Sequence, residues 1–313
     1  MIYSEAFDAG PALRVVIAVP TRGCRWVRNG NPCQHCPVPG ILAEHGAATG
    51  IVSSVEEEVA KYSRRRVDTV CLYSPGSLLD VSEMGERELE EVVRSVAREL
   101  HPRRIVIETR PELIDKNVLS VLHRLIKLAR IEVNIPVESW NHKTRIALGK
   151  SFSNRRFSRV AREVQRTGCG FSSSVLLKPP SLSESDAISD ALDTIDWLSE
   201  LEPMHVVLEP MHVFGGTLLA AQFLAGEYAP PWWWSAVEVF LRAKSPAIRL
   251  GGEFHYPKPL AYPRGCNECT PTITTMLRDT NFRATCEDYV AISCDCKRCW
   301  IEETSSNQGS VCI

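Results

Sequence analysis

The stretch TRGCRWVRNGNPCQHC, residues 21–36, directly follows an apolar run at residues 13–20 that predicts a buried strand. Its three cysteines, Cys24, Cys33 and Cys36, are spaced C-x8-C-x2-C. Glycine and proline residues around them favour tight turns, which allow three thiolates to converge on one metal centre. The loop therefore predicts a metal site at the end of the first predicted strand.

Three thiolates suit a [4Fe-4S] cluster, because they bind three irons and leave the fourth iron open to another ligand. A zinc site normally needs four protein ligands, and a disulfide would leave one of the three thiols over. The spacing alone leaves these two alternatives open, and the rest of the sequence favours iron and sulfur.

Length and composition are those of a substantial enzyme. At 313 residues, of which 44% are hydrophobic, the chain can bury a full core. It has no secretory signal and no apolar run long enough to cross a bilayer, so the sequence predicts a cytoplasmic protein without a membrane partner. In a reducing compartment its 12 cysteines are more often metal ligands than disulfides. The formal net charge of -2 disfavours a dedicated polyanion-binding protein.

Short runs rich in β-branched residues alternate with helical periodicity along most of the chain. The predicted strands occupy residues 13–20, 69–73, 104–108, 131–137, 170–177 and 205–209. This alternation predicts an α/β fold, a parallel sheet with right-handed crossovers that curls into a partial (β/α)6 TIM-like barrel. In such folds the functional loops follow the C-terminal ends of the strands. Periodicity fades after residue 250, so we expect a barrel over residues 1–250 and a cysteine-rich extension over residues 251–313.

Two of the predicted helices show clear apolar faces, and two show sequence signals for their first residues. The faces consist of apolar residues at helical spacing within residues 89–100 and 188–198. Ser53 with Glu56, and Ser181 with Glu184, fit the capping box that begins many helices.

The extension contains a second group of cysteines. Cys266 and Cys269 form a C-x2-C turn, and Cys294 and Cys296 follow after a long gap. Four convergent thiolates can bind all four irons of an auxiliary [4Fe-4S] cluster, which is the interpretation favoured here, or hold a structural Zn²⁺. Thiols without any metal are the third alternative. The substitutes for the fourth ligand are the other cysteines of the extension, Cys286, Cys299 and Cys312.

Several further motifs follow the predicted strands: residues 73–80 (YSPGSLLD), 108–112 (ETRPE), 137–139 (VES), 177–180 (LKPP) and 228–235 (YAPPWWWS). Together with the cysteines, they make the chain resemble the radical S-adenosylmethionine (radical SAM) subunit of archaeosine synthase over nearly its full length. The first cysteine loop and the ETRP motif are also similar to the radical domain of the Elongator acetyltransferase. The resemblance implies a radical SAM barrel that binds S-adenosylmethionine.

The resemblance implies that Cys24, Cys33 and Cys36 bind the catalytic [4Fe-4S] cluster. It also implies that the turn containing Ser74, Gly76 and Ser77 holds the methionyl amine of S-adenosylmethionine through backbone groups. A glycine-containing turn at a strand end suits this role, because a ligand can approach its backbone closely. An ordinary β-turn is the alternative.

Three charged residues end neighbouring predicted strands and are implied to bind the same cofactor. Arg110 could contact the methionine carboxylate, with a purely structural ion pair as its alternative. Glu138 could accept hydrogen bonds from the ribose or the amine. Glu108 ends the predicted strand at residues 104–108, and the resemblance implies that it also lies at the cofactor.

Four residues are candidates for substrate binding. Lys178 ends the fifth predicted strand and either binds substrate or caps the strand. Glu209 and His212 follow the sixth, where an amide-rich segment is expected in the family, and His255 precedes the second cysteine group. These departures from the family pattern, with the acidic balance, disfavour tRNA as the substrate.

The first functional hypothesis is a radical SAM enzyme with two [4Fe-4S] clusters that abstracts hydrogen from a free nucleoside or nucleotide in natural-product biosynthesis. Its auxiliary cluster would supply sulfur for insertion or for replacement of oxygen, and flavodoxin or ferredoxin would supply electrons. The second hypothesis is the family activity, cleavage of a C–N bond on a lysine-modified deazaguanine in tRNA. The third is a non-catalytic iron–sulfur or zinc protein that binds nucleic acid.

Overall fold

The computed structural model describes residues 2–7, 10–45, 50–244, 248–251, 257–278, 288–289 and 291–305. Within these, the chain forms two compact units. The first unit takes in residues 1–33, 38–136 and 152–173, and the second takes in residues 34–37, 137–151 and 174–313. The division between a barrel ending at residue 250 and a separate extension stays a prediction.

Eight strands and twelve α-helices can be defined in the described residues. The strands are β1 Ile2–Phe7, β2 Gly10–Ala18, β3 Thr69–Tyr73, β4 Arg104–Glu108, β5 Ile131–Asn134, β6 Gly170–Leu177, β7 Val206–Pro210 and β8 Ile248–Leu250. The helices are α1 Arg25–Arg28, α2 Val38–His45, α3 Ile51–Ala60, α4 Glu86–Leu100, α5 Lys116–Leu125, α6 His142–Ala147, α7 Asn154–Arg166, α8 Glu184–Ser199, α9 Leu218–Leu224, α10 Trp233–Arg242, α11 Thr270–Arg278 and α12 Asp295–Ser305. A 3-10 turn at Pro111–Leu113 follows β4.

The strands follow one another in the sheet in chain order, from β1 to β8. β1 pairs antiparallel with β2, whereas the pairings from β2 through β6, and that of β7 with β8, are parallel. The central strands are buried along nearly their whole length, as expected for a parallel sheet whose two faces are both covered. The sequence prediction of a parallel α/β barrel sheet is therefore confirmed.

All six predicted strands exist, and two short strands were not predicted. β1 adds an antiparallel edge, and β8 has only 3 residues, too few for periodicity to reveal. β5 ends earlier than predicted, at Asn134, because Pro136 has no N–H to donate. Beyond it, the N–H groups of Val137 and Glu138 both donate to the carbonyl of Ser174, at 3.1 and 3.0 Å. Glu138 takes a φ of 66° in this bulge.

The predicted apolar faces of α4 and α8 are buried, but both predicted capping boxes are wrong. α3 begins after Gly50, so Ser53 lies inside the helix and its hydroxyl donates to the Gly50 carbonyl at 2.9 Å. α8 begins after Ser183, whose Oγ accepts from the Asp186 N–H at 3.1 Å. α3 is preceded by a glycine in the left-handed region and not by a serine, and at α8 the sequence could not distinguish Ser181 from Ser183.

None of the helices in the described part of the chain has the length and apolar character needed to cross a membrane.

Candidate functional site

The first cysteine loop is hydrogen-bonded to the turn that follows β3. Cys24 lies immediately before α1, and its N–H donates to the carbonyl of Pro75 at 2.8 Å. Gly23 has a φ of 80°, and a Cβ there would lie 2.4 Å from the side chain of Leu42. The sequence therefore needs glycine before Cys24, both for its backbone angle and for close packing.

Glu83 holds this turn through hydrogen bonds, a role that sequence analysis did not predict. Its side chain is fully buried, and it accepts from the N–H of Ser77 at 2.8 Å and from the N–H of Arg25 at 3.3 Å. Burial raises the pKa of the Glu83 carboxyl to about 7, although the Ser77 hydrogen bond opposes the shift. A Cβ on Gly76 would lie 1.8 Å from Glu83 Oε2, so this position accepts only glycine while Glu83 keeps its place.

A second carboxylate holds the residue that follows Cys24. Asp80 is buried and accepts from Arg25 Nε and Nη2, each at 2.5 Å. Burial by itself would raise the pKa of Asp80, but hydrogen bonds from Arg25 and Ser82 outweigh it and the pKa is lowered. The ion pair between Arg25 and Asp80 therefore holds the first residue of α1 next to the turn after β3.

Arg110 contacts Cys33, the second cysteine of the first cysteine loop. Its Nη1 approaches Cys33 Sγ at 3.6 Å, and its Nη2 donates to Glu112 at 2.6 Å. The guanidinium also stacks on the ring of Trp26, with 3.8 Å between its carbon and the ring centre. The structural ion pair expected as the alternative role of Arg110 thus exists, and its contact with the methionine carboxylate stays a prediction. Trp26 was not recognised from the sequence.

Two buried hydroxyls near these residues have no hydrogen-bond partner within the described part of the chain. They are Ser74 Oγ, in the turn after β3, and Thr109 Oγ1, immediately before Arg110. Buried hydroxyls without partners are uncommon, because each loses its hydrogen bonds to water. Together with the glycine at position 76 and the thiols, they fit a site that binds a polar ligand beside a thiolate-held metal.

The second unit contains Cys36 and the predicted residue Glu138. The buried Glu138 carboxylate pairs with the buried ammonium of Lys150. His35, next to Cys36, has a buried Nδ1 without a partner among the described residues. Burial lowers the pKa of His35 to about 4, so its imidazole is neutral at physiological pH. Lys150 thus gives the Glu138 carboxylate a buried cationic partner. Glu108, in the first unit, ends β4 and is partly buried, and its carbonyl accepts from the Leu78 N–H at 3.3 Å.

Lys178 lies in a largely buried network of charges in the second unit. Its ammonium is 2.7 Å from Glu184 and 3.7 Å from Glu303. Arg264 bridges the same two carboxylates, at 2.9 and 2.8 Å. Glu184 also accepts from the N–H of Trp232 at 2.8 Å. The ammonium of Lys178 is thus engaged with protein carboxylates, and its predicted contact with substrate stays a prediction.

Of the remaining substrate candidates, Glu209 lies near the end of β7 and His212 follows that strand. His212 is buried and packs edge-on against Tyr262, with 5.6 Å between ring centres. Glu209 is partly buried, and a Cβ on Gly251 would lie 2.1 Å from its Oε1, so Gly251 gives this carboxylate its space. His255 lies outside the described residues.

The four predicted auxiliary ligands do come together. The sulfur atoms of Cys266, Cys269, Cys294 and Cys296 all lie within 4.8 Å of one another. Burial raises the pKa of Cys269 to about 11, whereas hydrogen bonding, chiefly from the Cys269 backbone, lowers that of Cys266 to about 7. Of the substitutes, Cys299 is described and lies outside the group, while Cys286 and Cys312 are outside the described residues.

Comparison with known proteins gives relatives along most of the chain. No protein-family model matches it. Archaeosine synthase subunit beta of Thermococcus kodakarensis is 30% identical over 247 residues, 77% of this chain and 75% of the relative. The subunit of the same name in Methanosarcina acetivorans is 23% identical over 290 residues, 91% of this chain and 83% of the relative.

The fold has a counterpart among solved structures. That of Methanocaldococcus infernus Elp3 matches with a TM-score of 0.58 at 16% identity, over 86% of this chain and 64% of that one. Enzymes of the radical SAM class combine S-adenosylmethionine with an iron–sulfur cluster. The chain belongs to the archaeosine synthase subunit beta family, and it is a radical SAM enzyme built on a partial barrel.

Proposed function

We propose that this chain is the radical subunit of an archaeosine-forming enzyme, and that it cleaves a C–N bond on a lysine-modified deazaguanine in tRNA. The relationship to two archaeosine synthase beta subunits supports the reaction. The observation that carries the proposal is the hydrogen bond from Cys24 to Pro75, because it joins the cysteine loop to the turn expected to hold the methionyl amine. The relatives are subunits by name, so a partner subunit belongs to the proposal.

Cys24, Cys33 and Cys36 would hold the [4Fe-4S] cluster. When bound, the cluster and S-adenosylmethionine would supply the radical chemistry for hydrogen abstraction from the substrate. Arg110 would stabilise Cys33 as a ligand of that cluster, since its guanidinium lies 3.6 Å from the sulfur. Stacking on Trp26 and the ion pair with Glu112 keep the guanidinium in that position.

The turn after β3 would bind the amino-acid end of the cofactor. The N–H of Ser77 is already occupied by Glu83, and the Ser77 carbonyl accepts from the Asp80 N–H at 3.0 Å. The Ser74 hydroxyl, which has no partner in the described residues, is the group left to meet a ligand. Gly76 keeps the turn close to Glu83 and thereby close to the cysteine loop.

Glu138 would bind the ribose or amine of the cofactor, as the resemblance implies. The Lys150 ammonium pairs with this buried carboxylate and holds it in one position, where its oxygens can accept hydrogen bonds. The bulge that gives Glu138 its positive φ fixes the direction in which the side chain leaves the backbone.

The alternative substrate, a free nucleoside or nucleotide, has less support. The sulfur-insertion version requires a cluster at the four-thiol site, and neither relative carries a name that points to natural-product chemistry. Glu209 and His212 are the residues that would distinguish a small substrate, because they depart from the pattern expected in the family.

The proposal is tested with the anaerobically reconstituted protein and its partner subunit, given S-adenosylmethionine, a reductant and tRNA carrying the lysine-modified deazaguanine. We expect archaeosine in nuclease digests, detected by mass spectrometry, together with 5′-deoxyadenosine. Cys33→Ala should abolish both products, whereas Cys169→Ala, at a buried cysteine far from the loop in sequence, should keep them. Conversion of free nucleosides with no change in the tRNA would overturn the proposal.

A further inference from the structure

The four grouped cysteines after β8 form a site in which the distances between the sulfur atoms indicate the metal. The sulfurs of Cys266 and Cys269 are 3.3 Å apart, those of Cys269 and Cys296 are 3.2 Å apart, and those of Cys294 and Cys296 are 3.2 Å apart. We propose that these four thiolates hold one tetrahedral Zn²⁺ and not an auxiliary [4Fe-4S] cluster.

The two metal centres demand very different spacings. Four thiolates at about 2.3 Å from a tetrahedral Zn²⁺ lie about 3.8 Å from one another. In a [4Fe-4S] cluster each thiolate binds a different corner of the cube, which separates the sulfurs by about 6 Å. All four sulfurs here lie within 4.8 Å, so zinc needs shifts of no more than about 1 Å in any pair, whereas a cluster would have to push every pair apart.

The surroundings of the sulfurs suit a closed site. The N–H of Cys269 donates to Cys266 Sγ at 3.4 Å, and Trp234 Nε1 donates to Cys296 Sγ at 3.2 Å. Such donors disperse the negative charge of a four-thiolate zinc site and fix the ligands. The ammonium of Lys297 lies 4.8 Å from the centre of the Trp234 ring, which places a positive charge close to the site.

A zinc ion would make this site a structural crosslink. Cys269 immediately precedes α11 and Cys296 lies in the first turn of α12, so one ion ties the two helices together. Zn²⁺ has no redox chemistry and a four-thiolate site leaves no open position. The site then cannot relay electrons or supply sulfur, and the enzyme's redox chemistry rests on the first cysteine loop.

The test is the metal content of anaerobically purified protein, with X-ray absorption at the zinc edge. We expect about one zinc and about four irons per chain, with about four sulfur neighbours at about 2.3 Å around zinc. Cys33→Ala should lose iron and keep zinc. Cys299→Ser is the matched control for the second site, since this cysteine lies on α12 outside the group and its zinc content should be unchanged.

About eight irons and no zinc in the wild-type protein would overturn the inference, and this measurement needs no variant to fold. So would zinc whose neighbours are oxygen or nitrogen. Neither result bears on the tRNA reaction, because that reaction requires only the first cluster.

A second inference comes from an independent feature, the outer face of α7. Four exposed arginines, Arg155, Arg159, Arg162 and Arg166, recur at helical spacing and form one stripe. They line an open concavity of about 760 Å³ with two serines and a fifth arginine. The only acidic residue in α7 is Glu163, whose carboxylate is 3.9 Å from Arg159. A basic stripe on a chain with a net charge of -2 is a local concentration of positive charge.

We infer that this arginine stripe binds the sugar–phosphate backbone of tRNA, an inference that rests on the proposed function. The arginines lie about 5 to 6 Å from their neighbours along the helix, comparable to the spacing of phosphates on a nucleic-acid strand. Exposed guanidiniums pair with phosphates bidentately. The apolar face of the same helix is buried, so packing against the core holds the arginine stripe in place.

The test is the salt dependence of tRNA binding by the full protein with its partner subunit. Changing Arg159, Arg162 and Arg166 to Gln should lower the log–log salt slope by about 2 to 3 and weaken binding at least about ten-fold near physiological salt. The matched control changes the exposed Arg64, Arg65 and Arg66 to Gln, which removes the same charge from another surface.

Equal slopes for the two triple variants would overturn the stripe while leaving the proposed function intact. Failure of the wild-type complex to bind tRNA would overturn both. Melting temperatures that agree within about 2 °C show that the variants fold alike.

Discussion

The change of Gly76 to Ala tests the packing behind the cofactor turn. The added Cβ would lie 1.8 Å from Glu83 Oε2, whereas ordinary contact begins at 3.4 Å. Glu83 is fully buried and holds the N–H groups of Ser77 and Arg25. It therefore cannot move aside without breaking hydrogen bonds on both sides of the turn.

The cost has two parts. Inserting a methyl group into a well-packed interior costs about 1–3 kcal/mol. Each hydrogen bond to the buried carboxyl group adds about 1 kcal/mol when it is broken. We expect Gly76→Ala to lower the free energy of unfolding by about 3–5 kcal/mol, measured by urea denaturation of the reconstituted protein. S-adenosylmethionine binding should weaken in parallel, because Ser74 lies on the same turn.

A double-mutant cycle separates this explanation from a general intolerance of alanine. In a Glu83→Ala background the clash is gone, so the additional cost of Gly76→Ala should fall to about 1 kcal/mol or less. Gly215→Ala is the control, because a Cβ there meets nothing within 4 Å. An unchanged cost of Gly76→Ala in the absence of the Glu83 side chain would refute the reasoning.

Three further predictions concern other buried charges. Burial raises the pKa of Asp190 to about 6, so the folded protein binds this proton more tightly than the unfolded chain does. The stability of wild type relative to Asp190→Asn should therefore fall by about 3 kcal/mol as pH rises from about 4 to about 8, and a flat difference would contradict the shift. Glu184→Ala leaves the buried Lys178 ammonium without its nearest carboxylate, so we expect a loss of about 3–5 kcal/mol in urea unfolding, and a loss below about 1 kcal/mol would contradict the network. Arg110→Lys removes the planar stack and the approach to Cys33, and it should slow cleavage of S-adenosylmethionine at least about ten-fold with little change in melting temperature.

The sequence predicted the parts of the fold that depend on local patterns. Strands β3, β4 and β6 begin and end where their apolar runs do, since the whole run is buried. The grouping of Cys266, Cys269, Cys294 and Cys296 also followed from spacing and residue type. These features depend on residues near one another in the chain or on the chemistry of thiols.

Other parts of the site depend on contacts between distant segments, which no local pattern records. Glu83 looks like one of many loop carboxylates until the structure places it under Gly76. The stacking of Arg110 on Trp26 joins residues far apart in sequence. The metal at the four-thiol site could not be chosen from the spacing, because zinc and a cluster use the same ligands and differ only in the distances between sulfurs.

The buried charge network around Lys178 also bears on how short the chain can be. It balances two cations, Lys178 and Arg264, with two carboxylates, Glu184 and Glu303. Glu303 belongs to α12, the last described helix. A chain cut before that helix would leave Lys178 and Arg264 with one carboxylate between them, which removes part of the charge compensation of this largely buried group. A nascent chain can therefore complete this charge network only after α12 has left the ribosome.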